Sequence, residues 1–218
     1  MEQYQQINGS NYRRIFIVGD IHGCYQRLLQ GLENVGFDFD TDLLVSVGDL
    51  IDRGAESLEC LDLINAPWFR AVRGNHEEMA ILALTGAENA ARNWLANGGN
   101  WYYLLDTDQQ HLARALIRKA EQLPLVIEVN TAEGLVVVCH ADYPGEIYEF
   151  GKKLNSYDVV WSRERYARSS EGLHKPISGA SLFYFGHTPV MKMATSANQI
   201  YIDTGAVFGN KLTIVQIQ

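Results

Sequence analysis

A chain of 218 residues, 47% of them hydrophobic and 11% aromatic, can bury one substantial core and falls in the length range of a single domain. Its 18 Lys and Arg against 26 Asp and Glu leave a formal charge of −8, which repels a nucleic-acid backbone and argues against nucleic acid as a partner. Cys24, Cys60 and Cys139 lack CxxC spacing and cannot close a complete disulfide framework, the start Met-Glu-Gln-Tyr-Gln-Gln lacks the features of a signal peptide, and no apolar run approaches the ~18 residues of a membrane span. The expectation is one domain over residues 1–218, monomeric, in a reducing cytoplasm and away from membranes.

Ile15 to Val18 is an apolar run too short for a helix and closed by Gly19, so it predicts a buried strand with Asp20 and His22 at its carboxyl end. Tyr25, Leu28, Leu29, Leu32 and Val35 then recur at three- and four-residue steps, an amphipathic helix that Gly36 stops. The unit repeats as a strand over Leu43 to Val47, a loop over Asp49 to Gly54 and a helix over Ser57 to Ile64. A third pass runs from a strand at Phe69 to Val72 into Gly74-Asn75-His76 and another helix. Such alternation favours parallel pairing, which puts all three loops on one sheet edge, where sites in open α/β sheets form.

Helical spacing continues over Glu88 to Ala96 and Gln109 to Gln122, with Asn97-Gly98-Gly99-Asn100 as a turn to which no chemistry is assigned. From Leu125 the pattern becomes strand-like at Leu125 to Val129, Leu135 to Cys139, Leu182 to Phe185, Gln199 to Ile202 and Leu212 to Ile217, implying a second sheet. Residues 143–181 read as a long irregular connection. His140 and His187 end two of the later strands, so the two sheet edges must meet at one place.

The side chains delivered there are Asp20, His22, Asp49, Asn75, His140 and His187, a thiolate-free set suited to borderline or hard divalent ions: manganese first, with iron or zinc compatible. Phosphate monoesters need up to roughly 10²¹-fold acceleration, more than side-chain acid and base catalysis supplies, and two metals can make up the difference. His76 with Asp52 makes an acid with a carboxylate that orients it, and Arg53 offers a planar fork for phosphate. A second arginine is Arg163 or Arg165, which lie two positions apart and could trade places.

The segments Gly-Asp-Ile-His-Gly, Gly-Asp-Leu-Ile-Asp-Arg-Gly and Gly-Asn-His-Glu, followed in order by His140 and His187, resemble the phosphoprotein phosphatase branch of the calcineurin-like metallophosphoesterases. Ala141-Asp142-Tyr143-Pro144, Trp161-Ser162-Arg163-Glu164-Arg165 and Phe185-Gly186-His187-Thr188-Pro189 extend the resemblance, to the bacteriophage and bacterial members of that branch, over nearly the whole chain. The resemblance implies an α/β fold with two mixed β-sheets packed as a sandwich flanked by helices. It implies that Asp20, His22 and Asp49 hold one metal and that Asp49, Asn75, His140 and His187 hold the other, with a metal-bridging hydroxide attacking phosphorus directly. His76 would protonate the leaving group, Asp52 would orient it, and Arg53, Arg163 and Asn75 would bind the phosphate. The implied activity is a serine/threonine phosphoprotein phosphatase acting on phosphorylated proteins or peptides, extended as a hypothesis to phosphotyrosine and aryl phosphates. A symmetrical diadenosine tetraphosphate hydrolase is the alternative enzyme, and a non-catalytic phosphate-binding regulatory module is the alternative of another class.

Several residues carry plainer readings. His111 and His174 are surface or structural, Cys139 is an inert buried thiol, and Asp203 is a turn former. Asp142 is a turn residue or a partner of His140, Glu77 complements a helix start, and Trp94, Trp101, Tyr102 and Tyr103 belong to the core.

Overall fold

The computed structural model describes residues 2–87 and 89–218. Its elements are β1 (Tyr4–Asn8), β2 (Ile15–Val18), α1 (Tyr25–Asn34), β3 (Leu43–Ser46), α2 (Ser57–Asp62), β4 (Phe69–Ala71), α3 (Asn75–Leu84), α4 (Ala90–Ala96), α5 (Trp101–Leu104) and α6 (Thr107–Ala120). They continue with β5 (Val126–Thr131), β6 (Gly134–Cys139), α7 (Ser156–Val160), α8 (Glu164–Ser170), β7 (Leu182–Phe185), β8 (Ala194–Ser196), β9 (Gln199–Tyr201) and β10 (Ile214–Gln216). The expected start of α4 at Glu88 lies outside the described residues.

Two sheets face each other, one ordered β10-β2-β3-β4 and the other β1-β5-β6-β7-β9-β8. The period of two along each strand sorts its side chains between layers. In β2, Ile15 and Ile17 point between the sheets to meet Val45, Val47, Ile127 and Val138, while Phe16 and Val18 pack on the helical layer with Leu28, Leu32 and Leu116. In β7, Tyr184 faces the sandwich interior and Phe183 and Phe185 face outward onto Tyr143, Val159 and Val160. Strands buried on both faces are why these segments read as unbroken apolar runs.

The strands β2, β3 and β4 pair in parallel, so their following loops share one edge as the alternation predicts. Three expectations need correction. The final strand does not belong to the second sheet, because β10 pairs antiparallel with β2 through Ile214↔Val18 and Val215↔Ile17. Its apolar pattern marks a strand but says nothing about its partner. The segment 143–181 is not wholly irregular: it contains α7, whose Asn155 cap accepts from the Tyr157 N–H, and α8. The strands β1 and β8 are additional to the expected ones; β1 carries no apolar run, since it is mostly polar and only Tyr4 and Ile7 of it are buried.

The approach to β3 is fixed by charge. Asp42, with a fully buried side chain, accepts from Arg13 Nε at 3.0 Å, Arg14 Nη2 at 2.6 Å and the Asp38 N–H at 2.9 Å. Burial pushes its carboxyl pKa up, but the two guanidinium groups overcome this and hold it well below the usual carboxylate range. A depressed folded-state pKa stabilises the fold above the unfolded value near about 4 and loses that contribution as pH falls through the folded value. Asp42→Asn should therefore lower unfolding free energy by roughly 2–3 kcal/mol at pH 7. Urea melts should show the gap from wild type shrinking below about pH 4, and an equal gap at both pH values would contradict this account.

Candidate metal centre and active site

The ligand candidates come from the carboxyl ends of strands in both sheets: Asp20 and His22 follow β2, Asp49 follows β3, Asn75 opens α3 after β4, His140 follows β6 and His187 follows β7. All six are buried. The turns that carry them are tight, with His22, Asp49, Asp52, Arg53 and His187 at φ of 45°, 52°, 75°, 70° and 64°. Non-glycine residues rarely take such values, and their concentration here marks a site where packing overrides local preference.

Three imidazoles each give one ring N–H to a main-chain carbonyl: His22 Nδ1 to Ile51 at 2.8 Å, His140 Nδ1 to Val47 at 2.7 Å and His187 Nε2 to Trp161 at 3.1 Å. That fixes the tautomer and aims the other nitrogen, as a lone pair, inward. His140 Nε2 then lies 2.9 Å from Asn75 Oδ1 and 3.3 Å from Asp49 Oδ1, and His187 Nδ1 lies 3.0 Å from the same Asn75 oxygen. His22 Nε2 stands 3.5 Å from Asp49 Oδ2. Lone pairs and carboxylate oxygens converging in this way are what a divalent cation would bind, so this ligand set fits metal ions. Among the described residues, His22, Asp49 and His76 and likewise Asp49, His140 and His187 group closely enough to hold one.

The electrostatics point the same way. Burial and the neighbouring cationic groups push His22 and His187 down to about 3, which keeps both rings neutral and available as ligands. Burial would lower His140 too, but Asp49 beside it reverses the shift and raises it. In Asp49, burial is outweighed by His140 and His76, and the carboxyl is held well below its usual range. Asp20, buried and facing Asp203 and Asp49, is raised. A cation at this cluster would relieve that crowding of carboxylates.

His76 stands beside the cluster, its ring edge-on to His22 with centroids 4.6 Å apart. Its Nδ1 donates to Asp52 Oδ2 at 2.7 Å, and its Nε2 faces Asp49 Oδ2 at 3.9 Å. Arg53 Nη1 reaches His22 Nε2 at 2.5 Å, and the guanidinium lies over the exposed ring of Phe208, 5.7 Å from its centroid. The two candidate arginines separate clearly. Arg165 is tied down, with Nε on Asp142 at 2.6 Å and Nη2 on the Tyr143 and Gly145 carbonyls. Among the described residues the Arg163 side chain makes only a long contact, to the His187 carbonyl at 3.5 Å, and is less restrained than Arg165.

His111 is exposed, and exposed His174 bonds Ser196 Oγ at 2.8 Å. Cys139 is buried and free, and Asp203 accepts from Gly205 N–H as a turn former does. Asp142 pairs with Arg165 rather than His140, while also accepting from the Tyr143 N–H.

Glu77 does more than complement a helix start. It accepts from the Gly74, Asp49 and Leu50 N–H groups at 2.9, 3.0 and 2.9 Å and so ties two ligand turns together. Burial and nearby Asp49 push its carboxyl up to about 7 against those N–H groups. Its place three residues after Gly74 is the sequence signal of a capping box, one bond of which it makes. Trp94 and Trp101 are buried in the core as expected, but both indole N–H groups end on Asp52, a contact with no local sequence signal.

The family model for calcineurin-like phosphoesterases matches residues 13–191, and the chain belongs to that family, whose members work with divalent metal ions. Among particular proteins, it is 46% identical over 217 residues to serine/threonine-protein phosphatase 1 of Salmonella typhimurium, covering 100% of this chain and 98% of that one. A bis(5′-nucleosyl)-tetraphosphatase of the asymmetrical kind from Bacillus cereus is 31% identical, with 90% of this chain and 87% of the other covered. A crystal structure described as a candidate diadenosine tetraphosphatase superposes with a TM-score of 0.72 at 23% identity, covering 100% of this chain and 94% of that chain, and shares the fold. Among the described residues no helix is long and apolar enough to cross a membrane.

Proposed function

We propose that the protein is a metal-dependent serine/threonine phosphoprotein phosphatase formed by one catalytic domain over residues 1–218, acting on phosphorylated proteins or peptides and also on phosphotyrosine and aryl phosphates. The observation that carries this reading is the His76–Asp52 pair set against two groups of converging acceptors, in a chain 46% identical to a named serine/threonine phosphatase. A regulatory module that only binds phosphate would have no use for an oriented acid.

Asp20, His22 and Asp49 would hold one divalent ion and Asp49, Asn75, His140 and His187 the other, manganese being the first candidate for an oxygen and imidazole set. Bound there, the pair would neutralise charge on the phosphate and make water a nucleophile at neutral pH. The chain's own groups do the rest. Arg53 and Arg163 bind the equatorial oxygens and, with Asn75, fix the ester for in-line displacement. Asp52 holds His76 by Nδ1 so that Nε2 presents its proton to the departing oxygen. The exposed Phe208 ring under Arg53 offers a surface on which an aryl ester can stack, which supports the broader range.

The test is turnover of phosphoserine, phosphothreonine and phosphotyrosine peptides, 4-nitrophenyl phosphate and dinucleoside tetraphosphates with added manganese. Activity on all three peptides is expected. Activity confined to the dinucleotides would overturn the reading in favour of the tetraphosphatase relatives, and loss of phosphotyrosine alone would reject the breadth.

A further inference from the structure

The turn Asn97-Gly98-Gly99-Asn100, flanked by two tryptophans, touches both halves of the catalytic machinery. Trp94 from α4 places its indole N–H 2.9 and 3.0 Å from the two Asp52 oxygens, and Trp101 from α5 places its own 2.7 Å from Oδ1. Between them, the Gly98 carbonyl accepts the Arg53 N–H at 3.2 Å. Gly98 has a φ of 105°, and a Cβ there would lie 2.7 Å from the Arg53 nitrogen, while one on Gly99 would meet the Trp94 ring at 2.6 Å. Only glycines allow this approach.

We propose that residues 94–101 form a positioning element: the two indoles fix the orientation of the Asp52 carboxylate so that Oδ2 faces His76, and the Gly98 carbonyl holds Arg53 at the phosphate. The simple alternative is that two core tryptophans satisfy their N–H groups on the nearest acceptor. Three features argue against it. The indoles come from separate helices yet end on one carboxylate, and Asp52 is fully buried, where an ionised group persists only with several hydrogen bonds. The donors are neutral, so they stabilise the anion without competing with His76 as a counter-charge. Asp52 and Arg53 are also consecutive left-handed residues, a strained conformation that persists only where neighbours fix it.

This inference rests on His76 being the general acid, and the experiment separates the two. The variants are Trp101→Phe and Trp101→3-benzothienylalanine, the second replacing the ring N–H by sulfur in a nearly identical shape, each made alone and with His76→Asn. Each should lower kcat on a phosphoserine peptide about tenfold while KM moves by less than about twofold and bound metal is unchanged. On 4-nitrophenyl phosphate, whose leaving group needs little protonation, the loss should be less than about twofold. In the His76→Asn background the Trp101 change should cost almost nothing further, because the two act through one path. Wild-type kcat in the benzothienylalanine protein would overturn the inference, as would a loss equal on both substrates and additive with His76→Asn; either leaves the acid role of His76 standing. A His76→Asn variant that shows no dependence on leaving group would overturn that role, and this inference with it.

Discussion

Asp49→Asn is expected to reduce bound metal from two equivalents to fewer than one and to abolish useful turnover. Among the described residues, Asp49 is the one side chain shared by both acceptor groups, Oδ2 toward His22 at 3.5 Å and Oδ1 toward His140 at 3.3 Å. One unit charge about 4 Å from another interacts by roughly 4 kcal/mol at an effective dielectric near 20, so removing it weakens each divalent ion by about 10³-fold or more. Asparagine is the right probe because it tolerates the left-handed backbone at this position, φ 52°, and keeps a carbonyl oxygen for the His76 N–H. Metal analysis and thermal melting would separate lost metal from lost fold. Two full equivalents in a folded variant would refute the shared role.

His76→Asn is expected to behave in the opposite way, keeping both metals while losing rate. Its Nε2 stands 3.9 Å from Asp49 Oδ2, farther than His22 at 3.5 Å or His140 at 3.3 Å from that carboxylate, and its Nδ1 is already held by Asp52, so the proposed ligand sets do not include it. Removing a general acid costs about 10²- to 10⁴-fold in kcat when the leaving group is an alkoxide, and less when it is a stable phenolate. Steady-state rates on phosphoserine peptide and 4-nitrophenyl phosphate, with metal content measured on the same preparation, would check it. A smaller loss on the peptide than on the nitrophenyl ester would count against the assignment. Read together, the two substitutions separate holding the metals from moving the proton.

Much of the site was legible before the fold. Asp20, Asp49 and Asn75 each follow a short apolar run and a glycine, and β2, β3 and β4 do pair in parallel and bring those loops to one edge. His140 and His187 could be placed at strand ends by the same reasoning. Spacing favours Arg163 over Arg165 only weakly, because the two lie two positions apart. Asp142, Tyr143 and Gly145 occupy Arg165, whereas Arg163 reaches the His187 carbonyl at 3.5 Å, and these contacts support Arg163. The tryptophans are core residues, as their sequence context predicts. Their apolar rings dominate the sequence pattern, while the direction of one N–H on each ring depends on where a carboxylate some forty positions earlier ends up.

The sequence by itself determined which side chains could bind metal, where the strands that present them end, and to which family the chain belongs. Those properties are local: burial periodicity, turn residues and motif order are written within a few positions of each residue. Only the tertiary structure decided that β10 closes the first sheet, that Glu77 ties two ligand turns together, and that two indoles and one glycine carbonyl hold Asp52 and Arg53. Those are pairings between distant segments, and hydrophobic patterning specifies which face is buried without specifying what it is buried against.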